Sequence, residues 1–167
     1  MAVMAGTPYA GPVLKARAAS FKSALPSTGE ITMLSAPATL LTALVTLFAI
    51  LICIGTAILV ARTRRSTGIQ PPAMSGDARL ERALRVQGNT VEGFIVFLPA
   101  LWLAALYFQG WAPPIIGLIW CLGRIFYAVG YVADANRRHI GFAICIFSVL
   151  ILVILAAIGI VQAAMAV

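Results

Sequence analysis

Two stripes of polar residues run along stretches that are otherwise apolar. Arg82, Arg85, Asn89 and Glu92 are spaced by 3, 4 and 3 residues. Arg124, Tyr127, Tyr131, Asp134 and Arg138 are spaced by 3, 4, 3 and 4. At 100° per residue, each set falls within an arc of roughly 80° on a helix. Guanidinium forks match carboxylates, and tyrosine hydroxyls add donors on an apolar body. Such a pocket stabilises a developing anion electrostatically. A thiol is a good candidate for that anion, because a nearby cation raises its thiolate fraction. That logic permits thiol conjugation without specifying it.

The bland alternative is that polar seams glue helices together. Glu92 could neutralise Arg124 or Arg85, and arginines at helix ends reach out to lipid headgroups. Charge weighs against this as a full account. Arg82, Arg85, Arg124 and Arg138 face only Glu92 and Asp134 within the two stripes, and Arg64 and Arg65 lie at the same membrane face. Carboxylate pairing leaves that set unneutralised, so an anionic ligand is the economical explanation.

Other chemistries find little support. There is no paired-carboxylate hydrolase pattern, no serine–histidine constellation and no Gly-rich phosphate loop. Cys53, Cys121 and Cys145 are isolated within apolar runs and show no metal-ligand spacing. They read as small core hydrophobes. His139, the only histidine, stands at a helix entrance and reads as a loop or headgroup residue. A channel or transporter is disfavoured: Pro99 is the only helix interruption and no repeat symmetry is visible.

The elements that must position these residues follow from hydropathy. The chain has 167 residues, 62% hydrophobic and 10% charged. A water-facing domain usually carries about 25% charged residues, so most of this surface must face lipid. The net charge of +7 does not indicate nucleic acid, because the positive residues lie beside hydrophobic runs, where they act as topology and headgroup signals. Ala38–Ala61 is free of charge and, at about 1.5 Å per residue, long enough to cross a hydrocarbon core of about 30 Å. Further spans are expected over about 90–108, 115–133 and 140–164. Asp77 is placed to cap the second helix, with Glu81 early in it. Pro99 is a candidate kink.

The expected fold is an all-α membrane bundle of four transmembrane helices over residues 37–167. Residues 1–36 read as an N-terminal extension: a tail, a targeting segment, or sequence upstream of a true start at Met33. Basic residues crowd the first and third loops, whereas the second, around Gln109–Pro114, has no lysine or arginine. The positive-inside rule places loops one and three in the cytosol and both termini opposite. Lys15, Arg17 and Lys22 would then lie on the wrong side, which supports a start near Met33 or removal of the segment.

The stretch Glu81-Arg82-Ala83-Leu84-Arg85-Val86-Gln87-Gly88-Asn89-Thr90-Val91-Glu92 resembles the R-x-x-R-x-Q-x-N-x-x-E signature of the MAPEG family, membrane-associated proteins in eicosanoid and glutathione metabolism. A second match is Gly123-Arg124-Ile125-Phe126-Tyr127-Ala128-Val129-Gly130-Tyr131, followed by Asn136-Arg137-Arg138-His139-Ile140-Gly141-Phe142. It is similar to the third-helix and loop motif of the branch holding microsomal glutathione transferase 2 and leukotriene C4 synthase. The resemblance covers about 38–160 and has no counterpart for the first 35 or so residues.

The resemblance implies a homotrimer of four-helix subunits with glutathione bound between neighbours near the cytosolic face. By motif position, Arg85, Gln87, Asn89 and Glu92 contact the tripeptide from the second helix, and Arg124, Tyr127 and Tyr131 from the third. Glu92 receives the glutathione amino group. Arg65 or its neighbour Arg64 adds a contact from the end of the first helix. Arg138 is the implied catalytic residue and holds glutathione as thiolate for attack on a lipophilic electrophile; no metal is implied. A glutathione transferase follows, with lipid hydroperoxide reduction as a further activity. The alternative is a non-catalytic lipid-binding or scaffolding protein, since the family has a lipoxygenase-activating member without enzyme activity; Arg138 and both tyrosines argue against it. One position departs: Gly93 stands where the leukotriene synthase has a tyrosine, which removes a donor and some apolar wall.

Overall fold

The computed structural model describes residues 37–166 and, ahead of them, Lys15 alone. The expectations for residues 1–36 lie outside the described residues. Four helices follow in order: α1, Pro37–Thr67; α2, Ala78–Leu103; α3, Ala112–Ala133; and α4, His139–Met165. All four are long and apolar enough to cross a membrane. At 31 residues, α1 measures about 46 Å, more than a hydrocarbon core of about 30 Å requires. Its last turn carries Arg64 and Arg65, after the charge-free run has ended.

Local chemistry sets the helix ends. The Asp77 carboxylate accepts from the backbone N–H of Arg79 at 2.7 Å and pairs with its guanidinium at 2.9 Å, which caps α2. Arg79 in turn draws the Asp77 carboxyl down from its ordinary 3.8 to about 2. Helix α2 continues unbroken through Pro99, and its departure from α geometry comes later, in a π-helical turn at Ala104–Phe108. Gln109 at φ +61° and Gly110 at φ +77° then reverse the chain. Pro113 and Pro114 open α3, where their missing N–H groups leave no helical bond unmade. A 3-10 turn, Ala135–Arg138, leads straight into α4.

Side chains in the middle of the bundle are a mixture of aromatic, aliphatic, small and sulfur-bearing groups. Phe97 of α2 and Trp120 of α3 stack at 3.9 Å with planes 2° apart. Val45, Ala49, Leu101, Cys121, Cys145 and Leu152 close round them. Large apolar side chains such as Leu51, Phe126, Val129 and Phe147 point outward and are mostly exposed, as a lipid-facing surface requires. Helices approach closely where glycine permits. A Cβ on Gly141 would lie 2.3 Å from the backbone nitrogen of Tyr127, so the first turn of α4 rests directly on the backbone of α3.

Arginines fasten the loop end of the bundle. Arg64 donates to the carbonyls of Ile69 and Ala73, at 3.3 and 2.8 Å, and holds loop one against the end of α1. Arg82 donates to the Val132 carbonyl at 3.1 Å and ties α2 to the last turn of α3. These two cations serve the scaffold.

Candidate functional site

On the α3 stripe, Tyr127 is fully buried and Tyr131 nearly so. Asn89 of α2 donates through its side-chain nitrogen to the Tyr127 hydroxyl oxygen. That oxygen accepts from the amide, so the phenolic hydrogen is left to donate elsewhere. The Arg138 guanidinium lies 5.6 Å from the centre of the Tyr131 ring, within cation–π range, and is otherwise exposed.

These side chains surround a cleft of about 460 Å³ lined by Arg85, Asn89, Tyr127, Tyr131, Arg138, His139 and Phe142. Among the described residues, no carboxylate lines it. Arg85 and Asn89 also line a second cleft of about 490 Å³, walled by Glu81, Leu84, Gly88 and Glu92 of α2 and by Met74 and Ser75 of loop one. A cationic, hydroxyl-bearing hollow thus adjoins one that contains carboxylates, with Arg85 and Asn89 common to both.

Residues 41–158 match the profile of the MAPEG family. The chain belongs to that family. It is 45% identical over 112 residues to an uncharacterized protein of Synechocystis sp., covering 67% of this chain and 82% of that one. It is 35% identical over 104 residues to human microsomal glutathione S-transferase 2 (62% of this chain, 71% of that one). With leukotriene C4 synthase of Bos taurus the identity is 34% over 119 residues (71% of this chain, 79% of that one). With four spanning helices, this MAPEG protein is an integral multi-pass membrane protein.

Within this MAPEG bundle the expected site residues divide into three groups. Arg85, Asn89, Tyr127, Tyr131 and Arg138 come together in the first cleft, while Glu92 stands in the second. Arg65 is exposed at the end of α1 and Gln87 half-buried on α2; neither lines either cleft. Two residues from Arg85, Gln87 lies about 200° round the helix. Arg124, only 4% exposed, lies behind the cleft wall. Its guanidinium sits 5.0 Å from the Trp120 ring centre and 5.2 Å from that of Tyr127, and donates to the Asn89 carbonyl at 3.3 Å.

Arg124 has no carboxylate partner. Asp77–Arg79 is the only ion pair among the described residues, so Glu92 neutralises neither Arg124 nor Arg85 here. The Arg124 Nε and the Trp120 indole nitrogen are both buried without an acceptor. A Cβ on Gly93 would fall 2.4 Å from Arg124 Nη2. Gly93 is therefore a socket for this guanidinium. The space that a missing tyrosine would vacate is occupied by Arg124.

Two residues of the cleft were not among the expected contacts. Phe142 continues the α3 stripe four residues past Arg138, so its spacing was a usable signal. His139, exposed at the entrance of α4 as expected, also lines the cleft. Asp134 leaves the stripe because α3 ends before it: with extended backbone, its carboxylate accepts from the Asn136 N–H at 2.9 Å and caps the 3-10 turn.

Proposed function

We infer that this chain is a membrane-bound glutathione transferase, which conjugates the glutathione thiolate to lipophilic electrophiles and uses the same thiolate to reduce lipid hydroperoxides. The observation that carries this reading is the pairing of a carboxylate-free cleft holding Arg138, Arg85 and two tyrosines with an adjoining cleft holding Glu92. Glutathione carries two carboxylates, one ammonium and one thiol. Arg85 suits a carboxylate, Glu92 suits the ammonium, and Arg138 with the Tyr127 hydroxyl suits the thiolate. Arg124 acts from behind by fixing Asn89 and Tyr127.

Arg65 and Gln87 complete the ligand shell from a neighbouring subunit, which accounts for their absence from the cleft of their own chain. The assembly is then a homotrimer with a site at each junction. Loops one and three face the cytosol, where glutathione is supplied, and the electrophile enters laterally from the bilayer. Similarity to human microsomal glutathione S-transferase 2 and to leukotriene C4 synthase of Bos taurus supports both the thiol and the lipophilic partner.

An apolar groove of about 440 Å³ between α3 and α4, lined by Ile116, Ile119, Ile144 and Phe147, favours a second reading as a non-catalytic lipid-binding protein. Turnover by purified protein separates the two. Glutathione is offered with an aryl halide, a lipid hydroperoxide and an epoxide in turn. Conjugation or reduction of at least one is expected. Inertness toward all three, with no calorimetric binding of glutathione, would leave the lipid-binding reading in place.

A further inference from the structure

We propose that His139 is the proton acceptor when glutathione ionises beside Arg138, and the proton donor to the oxygen that the electrophile releases. The inference rests on the transferase reading and adds a step which that reading leaves open: where the thiol proton goes. His139 opens α4 directly after Arg138, and both side chains line the cleft with Tyr127 and Tyr131. Gly141 seats the backbone of this helical turn on α3 at Tyr127, and the His139 side chain is exposed at the cleft.

The other groups facing the cleft are poor proton acceptors. From α2 come Arg85, always a cation, and Asn89, whose amide nitrogen already donates to Tyr127. From α3 come the Tyr127 and Tyr131 phenols, and from the 3-10 turn Arg138; Phe142 is the other lining residue on α4. Glu81 and Glu92 belong to the adjoining cleft. Histidine is the side chain whose ordinary titration lies between about pH 5 and 8, and a neutral imidazole accepts a proton fully. A thiolate formed beside the ring and the imidazolium that receives its proton carry opposite charges, so proton transfer and anion formation assist each other.

The step balances. The glutathione S–H bond breaks, sulfur keeps the electron pair as thiolate against Arg138, and an N–H bond forms on the imidazole. With an epoxide, sulfur attacks carbon and the C–O bond breaks with its electron pair moving to oxygen. The imidazolium then gives its proton to that alkoxide. Sulfur and hydrogen have added across the bond and neutral His139 is restored. Electrophiles that release an oxygen anion are the class this arrangement serves best.

The test uses full-chain protein in detergent and stopped-flow ultraviolet absorbance of the thiolate after mixing with glutathione, across about pH 5 to 8. The variants are Arg138→Ala, His139→Gln, and His139→Ala with and without added imidazole. His139→Gln should slow thiolate formation by at least about tenfold and flatten its pH dependence, with glutathione affinity little changed. Free imidazole should restore the rate of His139→Ala, a rescue that a purely structural role would not give. Thiolate formation by either His139 variant at the unmodified rate and pH profile, or failure of imidazole to rescue, overturns the proposal. If Arg138→Ala abolishes the thiolate while the His139 variants form it normally, the transferase reading survives and only this inference falls. If the unmodified protein forms no thiolate, both fall.

Discussion

The mouth of the cleft and the layer beneath it use arginine and aromatic rings to opposite ends. At the mouth, Arg138 lies over Tyr131 with its guanidinium exposed and its donors free. Deeper on the same stripe, Arg124 is buried over Trp120 and Tyr127, donates to the Asn89 carbonyl and fills the space above Gly93. Helical phase places both arginines on one face, and depth separates their roles. The upper cation is available to a ligand. The lower one braces Asn89 and Tyr127.

Steric changes in the lower layer should break this arrangement most severely. Gly141→Ala puts a methyl against the Tyr127 backbone, which cannot step aside as a side-chain tip can. A loss of about 3 kcal/mol, at the upper end of the range for overpacking, is expected and would register as a lower thermal midpoint in detergent. Gly93→Ala collides only with the far end of Arg124 and should cost about 1 kcal/mol. Combining it with Arg124→Met should recover part of that loss. A double-mutant cycle on thermal stability should give a coupling of about 0.5–3 kcal/mol, whereas strict additivity would remove Gly93 as the socket.

The smallest effect belongs to the rim. Arg79, through its hydrogen bonds, holds the Asp77 carboxyl down at about 2, so this contribution to stability is fully present above the ordinary 3.8 and fades as pH falls through about 2. Asp77→Asn should remove that acid-side dependence while keeping the cap, since an asparagine oxygen also accepts from the Arg79 N–H, and should leave the cleft intact. Circular dichroism across that pH window checks it.

Much of the scaffold could be read from the chain. Uninterrupted apolar runs reveal the four spans, and Asp77 marks the start of α2 as its cap. The stripes that meet in the cleft were visible as spacings of three and four. Three features escaped for distinct physical reasons. Helical phase carries no depth, so Arg124 and Arg138 looked equivalent. A glycine specifies room without naming what fills it, so Gly93 read as a loss. An α-helical projection assumes an unbroken helix, whereas α3 ends at Ala133, so Asp134 became a cap; His139, off the stripe by phase, lines the cleft from the first residue of α4. Gln87, off the stripe by phase, was named by family resemblance alone, and it lines neither cleft.

The division of labour between the two arginines is tested most directly by glutathione binding and thiolate absorbance measured together on Arg138→Ala. The account predicts calorimetric affinity close to that of the unmodified protein, no thiolate band, and turnover reduced by about 10²-fold or more. A thiolate band of unmodified amplitude in Arg138→Ala would contradict it.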